Sequence, residues 1–310
     1  MAACAGIINV NKEKGFTSFD IVAILRRLFK QKAGHTGTLD PNAAGVLPVC
    51  LGKATKFSEY FMSQNKSYTA EVLLGVRTTT DDVTGEILYR TPAPTAQNHS
   101  AEQLVREESM RKKINLTQHD ITKTVETFKG KQMQMPPMYS AIKINGKKLY
   151  EIARTGQTVE RKARHIEIYD INITSFAKNS FTINVDCSKG TYIRSLCSDI
   201  GEKLGCGAVM GDLVRTRSGQ FEICGALTIS KIKDANDPWL YVKKIEELLP
   251  YPFAILKTNA YNSAKNGNPV KLSCLSDYDP NSSKHWLKSN EETIGLFSLH
   301  KNNLICEVML

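Results

Sequence analysis

The chain has 310 residues, 41% of them hydrophobic, and a formal net charge of +10, enough for one large core or a core with a small appended domain. It contains no apolar run of the roughly eighteen residues that a membrane-spanning helix needs. Its eight cysteines include no Cys-x-x-Cys pair, so neither a zinc ribbon nor a disulfide framework is supported. The positive charge is localised: Arg111 to Arg164 hold thirteen Lys or Arg against four Asp or Glu. Such a run points to a polyanionic partner, nucleic acid ahead of anionic lipid, because no basic amphipathic helix accompanies it. The opening "MAACAGIINVNKEKG" lacks the basic start and long apolar centre of a signal peptide, which predicts a cytoplasmic protein.

In chain order, "TSFDIVAILRRLFK" reads as an amphipathic helix, with Ser18 placed to cap it and Ile21, Ile24, Leu25, Leu28 and Phe29 on one face. "GHTGTLDP", residues 34–41, follows directly as a tight turn that carries Asp40 between small residues and Pro41. "YTAEVLLGV" alternates as a strand with Tyr68, Ala70, Val72, Leu74 and Val76 on one face, and "DDVTG" turns it towards "EILYR" as an antiparallel partner. Residues 91–120 are polar, carry Pro92 and Pro94, and predict a connection with a weak helix around "SAEQLVREESMRKK". "KQMQMPPMYSAIKINGKKLYEIARTGQ" is basic, rich in methionine and broken by Pro136 and Pro137, and reads as a projecting, mobile element outside the core.

"HIEIYDINITSF" and "FTINVDC" are predicted strands of a second hairpin. "SKGTYIRSLCSDIGEKLG" is a predicted helix with Thr191 as cap, Ile193, Leu196, Cys197, Ile200 and Leu204 buried, and Tyr192 and Arg194 in its first turn. "LPYPF" at 249–253 marks a boundary; short alternating strands and a closing hairpin beyond it form a small β-rich module. The whole predicts an α+β fold with a mixed, mainly antiparallel sheet and flanking helices.

Most local motifs fail their chemistry. In "GVLPVCLGKAT" the glycine spacing is too long for a phosphate loop, and Ala54 stands where a magnesium-binding hydroxyl is required. The six histidines include no pair at helical metal-ligand spacing, and no G-x-S-x-G motif occurs. What survives is Asp40 on its turn, Tyr68 opening a strand, and Tyr192 with Arg194 opening a helix. An arginine keeps a neighbouring carboxylate ionised, and tyrosine rings stack on bases while their hydroxyls exchange protons. An ionised, fixed aspartate is a nucleophile that needs no metal. The bland alternative, a turn aspartate with ordinary tyrosines and a surface arginine, stays open on residue types alone.

These motifs resemble the bacterial tRNA pseudouridine synthase family TruB, through "GHTGTLDPNAAGVLP", "LGKATKFSEY", "KSYTAEVLLGVRTTTDD", "MPPMYSAIKINGKKLYEIARTG", "CSKGTYIRSLCSDIGEKLGCGA" and "KNGNPVKL", in that order. The resemblance implies a cofactor-free, metal-free isomerase that converts uridine-55 in the tRNA T-loop to pseudouridine after flipping it from its stack. It implies Asp40 as the nucleophile, His35 helping to displace the base, Tyr68 stacking on the uracil, Tyr192 and Leu213 lining the pocket, and Arg194 pairing with Asp40. It further implies a catalytic domain over residues 1–249 with a thumb at about 128–156, and a PUA-like RNA-binding module over 250–310. Lys143, Lys147 and Lys148 of the thumb are then candidate contacts to the RNA backbone. The expected partner is the T-arm of tRNA, with no membrane and no obligate protein partner, and the expected state is a monomer. Glu13 departs from the family's usual proline after Lys12, and residues 95–118 exceed the usual connection. Two rival readings are a non-catalytic RNA-binding protein on the same scaffold and a synthase acting on other RNA.

Overall fold

The structure, a computed structural model, describes residues 5–90 and 116–310 apart from 141, 145, 154, 158, 258, 259 and 291. The weak helix expected at 100–113 lies outside the described residues. The chain divides into two compact bodies: Met1–Pro41, Leu47–Met62 and Gly225–Leu310 form one, and Asn42–Val46 with Ser63–Cys224 form the other.

The first body begins with β1 (Gly6–Lys12), whose Ile7, Ile8 and Val10 are fully buried. Helix α1 (Ser18–Phe29) buries the predicted stripe at Ile21, Leu25 and Phe29. Its cap is Thr17, not Ser18, because only Thr17 has an acid three residues on: Thr17 and Asp20 form a capping box, each side chain taking the other's backbone N–H. Next, β2 (Ala33–His35) lies antiparallel to β3 (Ala43–Leu51), with His35 opposite Val49. A 3-10 turn, Gly52–Phe57, leads into the short helix α2 (Ser58–Met62). Residues Ala43 to Val46 of β3 belong to the second body.

The second body is built on β4 (Lys66–Leu74), which is flanked by β11 (Ser180–Cys187) and β12 (Ala208–Ser218). Outward from β11 follow β10 (Arg164–Phe176) and then β7 (Gly130–Gln134) at the edge, all antiparallel. The start of β3 joins β12 in parallel, Leu213 opposite Ala43 and Arg215 opposite Gly45. At this crossing Gly45 adopts φ 106°, and a Cβ there would stand 2.3 Å from the Arg215 carbonyl oxygen, so only glycine lets the strands approach. Helix α3 (Gln118–Glu126) and helix α5 (Ile193–Lys203) flank the sheet. Between β7 and β10 lie the two-residue strands β8 (Lys143–Ile144) and β9 (Lys147–Lys148) and the short helix α4 (Leu149–Ala153).

Two local expectations change here. β4 ends at Leu74, and Gly75 turns the chain at φ 85°, so the partner of β6 (Ile87–Arg90) is the separate short strand β5 (Val76–Thr78). The start of the expected projecting element is an edge strand of the main sheet, Gln134 opposite Arg164. Its buried residue is Gln134 while Met133 and Met135 are exposed, an inversion of the usual pattern that hides the strand from a hydrophobicity reading.

The first body is completed by Lys243–Lys244, paired with β1, and by a six-stranded sheet from residues 253–309. That sheet buries Ala254, Leu287, Ile294, Phe297 and Leu304 in its own core, and the fully enclosed Trp286 donates its indole N–H to the Leu249 carbonyl at 2.8 Å. The predicted α+β class and the β-rich C-terminal module are both present. The seven described cysteines are free, four of them buried; burial pushes the Cys50 thiol up to about 12, so it packs as a small neutral core residue. Among the described residues no helix is long and apolar enough to cross a membrane.

Candidate active site

Asp40 is half-buried, and the residues on either side of it are clamped. Upstream, the Ser18 hydroxyl donates to the Leu39 carbonyl at 3.0 Å and accepts the Leu39 amide at 2.8 Å. Downstream, the Pro41 carbonyl accepts the Gly15 amide at 2.9 Å and the Lys12 ammonium at 3.2 Å. Lys12 is fully enclosed and also donates to the carbonyls of Phe16 at 2.7 Å and Glu13 at 3.1 Å. An ammonium has three protons, and three carbonyl partners make its burial tolerable. The replacement of the family's proline by Glu13 therefore leaves Lys12 with a defined job: it ties the Asp40 turn to the end of β1.

His35 closes β2 on the same loop. The next residue, Thr36, is fully buried with its amide on the Pro48 carbonyl at 3.0 Å. Gly37 directs its N–H at His35 Nδ1, 3.4 Å away. The imidazole meets the Phe19 ring edge-on at 5.3 Å between centroids.

In the second body, Tyr68 stands on β4 opposite Arg215, and Leu213 stands opposite Ala70. Paired residues and residues two apart share a face of the sheet, so Tyr68 and Leu213 are diagonal neighbours on one face. Lys66 and Arg215 share it. Both are buried, and Arg215 donates Nε–H to the Val46 carbonyl at 2.7 Å. Burial, and then repulsion from Arg215, bring the Lys66 ammonium down to about 8. The face around Tyr68 thus carries an aromatic ring and the aliphatic Leu213 above two enclosed cations.

Tyr192 is the N-cap of α5 but supplies no side-chain cap, and Thr191, the expected cap, instead bonds the Ser188 carbonyl at 3.0 Å. The backbone of Tyr192 is held from β7: its amide donates to Gln134 Oε1 at 2.8 Å, and Gln134 Nε2 donates to its carbonyl at 3.0 Å. In the first turn of the helix, Arg194 is 6% exposed and donates to the carbonyls of Tyr139 at 2.8 Å and Thr80 at 3.2 Å. It also stands 3.8 Å from the carboxylate of Asp82. That carboxylate organises its own turn, accepting the Thr80 hydroxyl at 2.7 Å and the Thr84 amide at 2.9 Å. Next to it, burial raises the Asp81 carboxyl, an effect that a Ser198 hydrogen bond and the Arg194 charge partly offset. Burial and then the charges of Asp81 and Glu202 push Asp199 up to about 6.

The structure therefore groups the sequence-predicted residues in three places: Asp40 and His35 on one clamped loop, Tyr68 and Leu213 on one sheet face, and Tyr192 and Arg194 at one helix start. The basic candidates fall on a small hairpin, Lys143 opposite Lys148, with Lys147 exposed. Sequence reasoning missed the supports Ser18, Gln134, Asp82, Lys66 and Arg215 and the anchoring bonds of Lys12. Only the alternating Thr-x-Thr-x-Asp-x-Thr run at 78–84 carried a local signal, that of an Asx turn.

Known proteins resemble the chain over nearly its whole length. A family profile described as "TruB family pseudouridylate synthase (N terminal domain)" matches residues 26–109 and 96–193. A second, "tRNA pseudouridylate synthase B C-terminal domain", matches residues 194–250. The chain is 42% identical over 278 residues to a tRNA pseudouridine synthase B of Alkaliphilus oremlandii, covering 88% of this chain and 85% of that one. It is 37% identical over 308 residues to the protein of the same name from Clostridioides difficile, covering 96% and 95%. Among solved structures, a chain of a Cbf5-Nop10-Gar1 complex superposes with a TM-score of 0.66 at 24% identity, covering 98% of this chain and 84% of that one. That likeness is one of fold.

Proposed function

The chain belongs to the TruB family of pseudouridylate synthases, and on that premise we propose how its residues divide the work. The protein is a tRNA pseudouridine synthase: it binds tRNA and isomerises the T-loop uridine-55 to pseudouridine. In that reaction the N1–C1′ bond breaks, the base turns while held, C5 bonds to C1′, the C5 proton leaves, and N1 takes up a proton, so that product and substrate are isomers.

Asp40 is the nucleophile. The observation that supports this is the double clamp on its neighbours, Ser18 on Leu39 and Lys12 with Gly15 on Pro41. A carboxylate whose flanking residues are both fixed is already placed before substrate arrives, which is where positional catalysis comes from. The family resemblance gives Arg194 the task of keeping Asp40 anionic; within its own body the guanidinium is held by the Thr80 and Tyr139 carbonyls. Tyr68 stacks on the uracil, Leu213 and Tyr192 wall the pocket, and His35 enters the stack that the uridine leaves. The β8–β9 hairpin with Lys143, Lys147 and Lys148, and the PUA-like module over residues 250–310, contact RNA outside the pocket. A cytoplasmic location belongs to the same proposal.

The test is incubation of the protein with unmodified tRNA transcript, followed by mapping of pseudouridine. One new pseudouridine at position 55, abolished in Asp40→Asn, is expected. Isomerisation that survives Asp40→Asn would remove the assignment of the nucleophile.

A further inference from the structure

Helix α1 carries a feature that neither the pocket nor the basic hairpin accounts for. Its buried face is Ser18, Ile21, Leu25 and Phe29. Its opposite face exposes Phe19, Ala23, Arg26, Arg27 and Lys30. At about 100° per residue, Phe19, Ala23 and Arg26 fall within about 60° of arc, with Arg27 beside them, and Lys30, the left-handed C-cap residue, follows at the helix end. The stripe runs along roughly 16 Å of helix.

One end of this stripe is aromatic. Phe19 is 65% exposed, and its ring meets the His35 imidazole at 5.3 Å. The other end is cationic. Arg26, Arg27 and Lys30, with Lys32 just beyond, have no carboxylate within ion-pair distance among the described residues. The only acid on the helix is Asp20, which is occupied by the Thr17 capping box and held below the usual carboxylate range by it. A surface cation normally lies near counter-charges of the same protein. A row of three, left uncompensated and ending at an exposed ring beside His35, fits an extended polyanion that carries bases.

We propose that the exposed face of α1 is a second RNA-binding surface, in which Arg26, Arg27 and Lys30 meet consecutive phosphates of the substrate backbone and Phe19 meets a base next to His35. This rests on tRNA being the substrate. It gives the first body its own grip on the RNA, independent of the thumb hairpin. It also orients the strand so that its bases arrive at the loop carrying His35 and Asp40, since phosphate contacts set register and direction without reading sequence.

The experiment uses the full chain and unmodified tRNA transcript, with binding measured from about 50 to 200 mM salt. In the variant Arg26→Gln, Arg27→Gln, Lys30→Gln, the slope of log K against log salt should fall by roughly 2–3, about 0.7–0.9 for each phosphate that no longer meets a cation. Pseudouridine formation at saturating tRNA should stay within about twofold, because the residues position the backbone only. Arg26→Lys with Arg27→Lys should keep the wild-type slope, and all variants should keep the wild-type melting temperature, which separates weaker RNA binding from misfolding. Phe19→Ala should raise KM about tenfold with kcat little changed, and Phe19→Trp should restore it. A wild-type salt slope in the Gln variant, in enzyme that still isomerises tRNA, would overturn the proposal. Wild-type protein that forms no pseudouridine in tRNA would instead remove the substrate reading and the track with it.

Discussion

The ammonium of Lys12 lies 3.2 Å from the carbonyl oxygen of Pro41, the residue that follows Asp40. Twenty-nine residues of chain are closed by that hydrogen bond, and the fully buried Lys12 has two further carbonyls to satisfy. Lys12→Met keeps the length of the side chain and removes the donors. Three carbonyls are then deprived of a charged partner, so unfolding free energy should drop by about 3 kcal/mol. Turnover should fall as well, with tRNA affinity held within a few-fold. Denaturant unfolding and single-turnover kinetics on the same preparation check both; unchanged stability would mean that water replaces the ammonium at no cost.

Asp40→Asn should abolish isomerisation and leave tRNA binding within a few-fold, since the amide keeps the shape without the anion. Arg194→Ala should also cost most of the activity, and Arg194→Lys should recover only part, because lysine cannot reach two carbonyls and a carboxylate with one planar group. Wild-type rates in the lysine variant would show that charge alone suffices.

Gln134 holds both backbone groups of Tyr192. Gln134→Ala should leave those groups unpaired at the start of α5, at a cost of about 1–3 kcal/mol. The amide of Tyr192 should then exchange faster with solvent deuterium, and kcat should fall more than affinity. Gln134→Glu keeps only the acceptor roles, so it should lose the bond to the Tyr192 carbonyl while retaining that to its amide. Deuterium exchange of the peptide containing Tyr192 distinguishes the two variants.

Asp199 is raised to about 6 by burial and by the Asp81 and Glu202 charges, whereas in the unfolded chain it titrates near the ordinary value, about 3.9. The folded protein therefore binds the proton more tightly, and stability falls as pH rises from about 4 to about 6, then levels off. Asp199→Asn removes this loss. The variant should melt at a higher temperature than wild type above pH 6, and the difference should shrink towards zero near pH 4. A difference independent of pH would assign the effect to packing.

Neutralising Lys143, Lys147 and Lys148 together should weaken tRNA binding and lower its salt slope by about 2–3 if all three fully neutralise a phosphate. Turnover at saturating tRNA should change less than affinity does. An unaltered slope would make the hairpin a solvated surface.

The parts of the fold that are legible in the sequence are those in which local pattern and tertiary packing agree. The α1 stripe and the β10–β11 hairpin follow from spacing alone, because their apolar residues are the ones that become buried. The cap of α1 is legible too, though at Thr17 and not at its neighbour: Asp20 three residues later marks it, which frees Ser18 to reach Leu39. Gln134 is not legible. Its burial depends on a backbone 58 residues away, and no short-range pattern encodes such a partner. In the site, the chemistry-bearing types can be chosen from the sequence, but the residues that hold them still cannot. Serine, glutamine and lysine are ordinary surface residues until the fold encloses them.

Gly45 has a genetic consequence. Every substitution at that position adds at least the carbon that would stand 2.3 Å from the Arg215 carbonyl oxygen. No allele at this codon other than a silent one should be tolerated, and a saturation screen scored by activity would rank position 45 alongside Asp40. Cellular abundance would separate them: alleles of Asp40 should accumulate as folded, inactive protein, while alleles of Gly45 should be cleared by proteases. A screen that reads both quantities would sort chemistry from architecture at every position of the chain.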